Sequence, residues 1–78
     1  MSNKTYYEFD DCREDIGDVI KIIREKEGLS QKEFSEKYGI KERSLEQTER
    51  GDSVYGISLL RVICKAKNYS VKILIQEN

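Results

Sequence analysis

The chain has 78 residues, 37% apolar and 37% charged, with two cysteines, no histidine and no proline. A chain this short forms one small domain that buries about 60–65% of its unfolded surface, so its core is thin and a partner subunit would help it. Histidine triads and His/Cys zinc sites are excluded, and no apolar run suits a secretion signal or a membrane span; the expectation is a cytoplasmic, cofactor-free protein.

The formal net charge of −1 is unevenly spread. Residues 1–18 carry two basic and six acidic side chains, a net of −4, whereas the remaining residues carry twelve and nine, a net of +3. A modestly basic domain behind an acidic leader can still hold a polyanion, though its non-specific affinity should be low.

Residues 1–14 show no helical or strand period and read as the acidic leader, with Tyr6, Tyr7 and Phe9 able to cover a core edge. From Ile16 the apolar residues Ile16, Val19, Ile20 and Ile23 recur at one helix face, Asp15 and Asp18 lie near its positive end, and Gly28 offers a stop. Ser30 followed by Glu33 is a capping box, which opens a second helix carrying Phe34 and Tyr38 and ending at Gly39. A third short helix follows over 41–50, with Leu45 inward and Gly51 closing it. Helix, glycine-containing turn, helix is the layout that a DNA-reading motif requires.

After a loop over 52–56, Ile57, Leu60, Ile63 and Cys64 repeat the amphipathic spacing until Asn68. The period then changes to two: Tyr69, Val71, Ile73 and Ile75 alternate with Ser70, Lys72, Leu74 and Gln76, which predicts a strand. A lone strand leaves its edges unpaired. It needs the leader segment 5–10 or, better, the same strand of a second copy about a two-fold axis. The division is therefore leader 1–14, domain 15–68 and dimerising tail 69–78. Cys12 and Cys64 read as two free thiols, Cys64 within a helix face.

Residues 29–40, Leu-Ser-Gln-Lys-Glu-Phe-Ser-Glu-Lys-Tyr-Gly-Ile, followed by Ser44-Leu45-Glu46-Gln47-Thr48-Glu49-Arg50-Gly51, resemble the phage-repressor (Cro/CI, XRE-type) helix-turn-helix. The resemblance spans roughly 16–67. It implies a mainly α, four-to-five-helix repressor-like DNA-binding domain, here with a short C-terminal β-strand pairing across a dimer. Ser35 must be small where two helices cross, and Gly39 allows the tight turn. Gln31 stands at a helix N-terminus, where amides can hold a phosphate.

The resemblance further implies that the second helix of the motif enters the major groove. Its base readers would be Glu42, Arg43 and Gln47: Arg43 suits guanine, Gln47 suits adenine, and Glu42 could accept from cytosine while repelling phosphates. Lys41 and Ser44 would meet the backbone, and Glu49 would pair with Arg24. Three departures stand out. Lys41 replaces the usual capping Ser or Thr, Thr48 replaces a large apolar residue and so predicts looser packing, and a strand replaces the fifth helix.

The expected function is a sequence-specific DNA-binding transcriptional regulator, a repressor acting as a homodimer on a palindromic operator. Tyr69, Val71, Ile73 and Ile75 would form the dimer contact, and the partners would be double-stranded DNA and a second copy. The alternative is a protein-binding module such as the antitoxin of a toxin–antitoxin pair, with the toxin as partner. An enzyme is not expected, because the acidic residues are dispersed and no glycine-rich phosphate loop or metal spacing occurs.

Overall fold

A computed structural model describes residues 8, 9, 12–71, 75 and 77. Four helices follow in order: α1 (Arg13–Lys26), α2 (Gln31–Tyr38), α3 (Glu42–Glu49) and α4 (Gly56–Ala66). Residues 72–74 and 76 of the expected strand, Ile73 among them, lie outside those described. Among the described residues there is no strand.

Helix α1 begins three residues before its apolar period does. Cys12 is the N-cap, its sulfur accepting from the Asp15 amide at 3.4 Å, and Glu14 and Asp15 lie in the first turn beside the helix's positive end. Helix α2 starts on the predicted capping box: the Glu33 amide donates to Ser30 Oγ and the Ser30 amide to Glu33 Oε1, at 3.1 and 2.9 Å. Gly39 ends it at φ +66, a left-handed conformation that an L side chain enters only with strain, and the Ile40 amide closes the turn on Ser35 O.

The core is the set read from the spacing: Ile16, Val19, Ile20 and Ile23 of α1, Phe34 of α2, Leu45 of α3, and Leu60, Ile63 and Cys64 of α4. Phe34 and Tyr38 meet in a tilted ring contact, with centroids 4.6 Å apart and an interplanar angle of 52°. Ile57 and Val71 pack half-buried at the margin. Ser35 is buried, and its hydroxyl turns back to Lys32 O at 2.7 Å, which satisfies it without a partner helix.

The expectation of looser packing at Thr48 is corrected. Thr48 is buried, and its hydroxyl donates to Ser44 O at 2.8 Å. A Cβ on Gly17 would lie 2.2 Å from the Thr48 carbonyl oxygen, and one on Gly56 would lie 3.3 Å from Thr48 Cγ2. Gly17 lets α1 close onto the α3 backbone at Thr48, and Gly56 lets the start of α4 close onto the Thr48 side chain, so the volume lost at Thr48 is recovered by backbone approach.

A polar cluster ties the ends of α1, α2 and α4 together. Glu27, the C-cap of α1, accepts from Lys37 Nζ and from Tyr38 Oη of α2, the latter at 2.7 Å. Lys67, just past α4, adds a third contact at 3.2 Å. Burial alone would raise the Glu27 pKa, but hydrogen bonds from Lys37, Tyr38 and Lys67 outweigh it and hold the carboxyl at about 2. Among the described residues no helix is long and apolar enough to cross a membrane.

Candidate nucleic-acid interface

Helix α3 is anchored by Leu45 and Thr48, which leaves its outer face to solvent. Lys41, Glu42 and Arg43 are exposed at its start, and Ser44 and Gln47 are half-buried one turn on. Arg43 and Gln47 are four residues apart, so their side chains lie along one ridge. With about 1.5 Å of rise per residue, the eight-residue helix is about 12 Å long, and a helix of ordinary diameter is what the major groove of B-DNA admits.

The start of α3 carries the weakness foreseen in the sequence. Lys41 is the N-cap and supplies no side-chain hydrogen bond to the free amides of the first turn. The end is better closed: the Arg50 and Gly51 amides return to Glu46 O and Thr48 O, and the Asp52 amide reaches Gln47 O at 2.9 Å. Free amides at the exposed start of a helix can accept an anion. The charge on this face is mixed, with Lys41 and Arg43 beside Glu42, and Arg50 paired with Asp52 at 3.3 Å on a well-exposed edge.

Gln31, the first residue of α2, is half-buried, and its Nε2 donates to Glu49 Oε1 at 3.2 Å. Glu49 in turn takes a two-pronged contact from Arg24, Nε to Oε2 at 2.8 Å and Nη2 to Oε1 at 3.0 Å. Arg24 Nη1 also donates to Leu29 O at 2.8 Å. The hydrogen bond to Glu49 raises the Arg24 pKa further, so this guanidinium stays charged at every relevant pH. The pair joins α1, the α1–α2 link and the last residue of α3, and the Gln31 amide completes it. The Arg24–Glu49 contact was foreseen in the sequence; the bond from Gln31 was not.

Two further groups escaped sequence reading. Glu27 draws its partners from ten, eleven and forty residues away, a pairing that no local pattern encodes. Cys12 as a cap departs from the usual oxygen-bearing residues. Both cysteines are free, and burial pushes the Cys64 thiol up, which keeps it unreactive.

A helix with a capped, glycine-terminated partner, a buried inner edge and a polar, solvent-facing start defines a helix-turn-helix nucleic-acid-binding domain. A family model described as helix-turn-helix matches residues 20–74, well over half of the chain. The protein belongs to that family, in its XRE-type (Cro/CI-like) form, whose members are DNA-binding transcription regulators. No curated protein and no solved structure matches the chain.

Proposed function

We propose that the protein is a homodimeric repressor that reads a palindromic operator through the start of α3. The observation that carries this reading is the exposure of Lys41, Glu42 and Arg43 on a helix whose opposite edge is locked into the core by Leu45 and Thr48. Arg43 addresses guanine and Gln47 adenine, while Glu42 accepts from cytosine. Lys41, Ser44 and Gln31 hold phosphates. The near-neutral charge of this face keeps non-specific binding weak, so discrimination rests on base contacts rather than on counterion release.

Dimerisation through Tyr69, Val71, Ile73 and Ile75 presents two copies of α3 about 34–36 Å apart, one helical turn of DNA. Tyr69 is exposed, Ile75 is nearly fully so, and Val71 packs on the core, so the described part of the tail has apolar surface left for a second copy. Deleting 69–78 should yield a monomer with weakened DNA affinity. A truncated chain that sediments as a dimer would refute this contact.

The test of the function is retention of duplexes from a random pool at about 0.15 M salt. A recovered palindrome with half-sites about ten base pairs apart supports the dimeric reader. Recovery of unrelated sequences removes the claim of specificity. A second reading, a protein-binding module such as an antitoxin, draws support from the exposed apolar residues Val54, Tyr55 (74% exposed) and Val62. It predicts a stoichiometric partner that Tyr55→Lys releases while DNA binding persists.

A further inference from the structure

Glu49 sits where an acid is poorly placed on electrostatic grounds, at the last residue of α3, beside the negative end of its own helix. Its side chain is only 5% exposed. Arg24 offsets that cost, but the ion pair alone does not use all that the carboxylate offers, because Oε1 also accepts from Gln31. A carboxylate can only accept, so the atom of Gln31 that faces it must be the amide nitrogen. That fixes which way round the amide sits. Nε2 has two hydrogens, and one goes to Glu49; no other acceptor for it occurs among the described residues.

We propose that Glu49, held by Arg24, is a positioning residue for DNA binding: it locks the Gln31 amide at the start of α2 so that the second Nε2 hydrogen is presented to a backbone phosphate. The proposal rests on the reading of Gln31 as a phosphate contact. A glutamine side chain has three rotatable bonds and a two-fold amide, and each would have to be ordered when DNA arrives. Ordering them beforehand through Glu49 removes that cost from binding. The same carboxylate terminates α3, and Arg24 also holds Leu29 O just ahead of the α2 cap. The phosphate contact and the reading helix therefore share one anchor. Movement of either relative to the other would break a bond at Glu49.

The structural role of the ion pair and its positioning role separate in a double-mutant cycle. Gln31→Met removes the amide at similar size and leaves Arg24–Glu49 intact. Glu49→Gln keeps the size but removes the charge and one of the two acceptor oxygens, so Arg24 and Gln31 compete for the one that remains. Affinity is read by fluorescence anisotropy on a fixed 20-base-pair duplex at about 50 mM salt, where phosphate contacts dominate, and the folded fraction of each variant is set by its thermal melt. Each single variant is expected to lose about three- to tenfold in affinity, and the double variant no more than the worse single one. Side-chain 15N relaxation of the Gln31 amide supplies a readout without DNA. It should be as rigid as the α2 backbone in the wild type and mobile in Glu49→Gln. If Glu49→Gln does not fold, Glu49→Asp, which shortens the reach by one methylene, is read in the same way.

Additive losses, or a Gln31 amide equally mobile in wild type and variant, would overturn the positioning role while leaving DNA binding in place. A wild-type chain that binds no duplex at all would instead remove the phosphate reading, and the proposal with it.

Discussion

Glu27 and Glu49 are two largely buried carboxylates at the C-terminal ends of helices, each held by cations, and they do different work. Glu27 ends α1 and gathers Lys37 and Tyr38 from α2 and Lys67 from beyond α4. All of its partners tie the end of α1 to the end of α2 and to the residue that follows α4. Glu49 ends α3, takes Arg24 from α1, and holds the first side chain of α2. Similar chemistry thus fastens three elements in one place and, in the other, holds the side chain proposed to meet a phosphate. Buried charge of this kind stabilises only while every partner is present, because removing one leaves another stranded.

The largest expected break in the comparison comes from Gly17→Ala. The new Cβ would meet the Thr48 carbonyl at 2.2 Å, so α1 must move off α3. The cost should be about 3 kcal/mol in denaturant unfolding. Because Arg24 rides on α1 and Glu49 on α3, the reading side should loosen first, visible as faster amide exchange around 42–49 than around Glu27.

Next in size is the pH dependence of Glu27. Its folded-state pKa of about 2 lies below the ordinary 4.5, so its stabilisation is complete above about pH 4.5 and is lost as the pH falls toward 2. A loss of about 2–3 kcal/mol over that window is expected, screening by the part-exposed Lys37 included. Glu27→Gln should be less stable at pH 7 by a similar amount and should flatten the acid limb of the stability curve. DNA affinity per folded molecule should not change; a drop in affinity at constant folded fraction would erase the distinction between the two carboxylates.

Arg43→Ala touches neither carboxylate. It should leave the melting curve alone and relax base preference at one position in each half-site, by about 1–3 kcal/mol. An unchanged preference would remove Arg43 from the reading set.

The smallest effect is expected at the uncapped start of α3. Lys41→Ser restores a side-chain acceptor and should stabilise the fold by about 0.5–1 kcal/mol. The same change should lower the salt dependence of DNA binding by about one phosphate, if Lys41 meets the backbone. Stabilisation with an unchanged salt slope would assign Lys41 to solvent.

What the sequence disclosed follows the range of the interactions. The start and end of α2 were legible because Ser30, Glu33 and Gly39 act within ten residues of one another, and each has one physical use there. The core of α1 and α4 was legible because burial repeats at the helical period. Thr48 misled because its small volume is matched by Gly56 and by the approach of Gly17, thirty-one positions earlier, to the α3 backbone, and nothing local marks either glycine as a contact. Glu27 was silent for a similar reason, since its ligands are spread from Lys37 to Lys67. At the candidate interface, exposure of Lys41, Glu42 and Arg43 followed from the positions of Leu45 and Thr48. The Gln31–Glu49 bond spans eighteen residues and appears only when α2 and α3 are packed.

The most direct test of the account is an amide-resolved NMR titration of the intact protein with a duplex recovered from the random pool. DNA binding through α3 and the start of α2 predicts that the largest shifts fall on Gln31 and on 41–47, that the Gln31 side-chain amide moves with them, and that the amides around Glu27 and on α4 stay still. Shifts concentrated on the exposed flank of α4 around Tyr55 and Val62, with 41–47 unmoved, would contradict it.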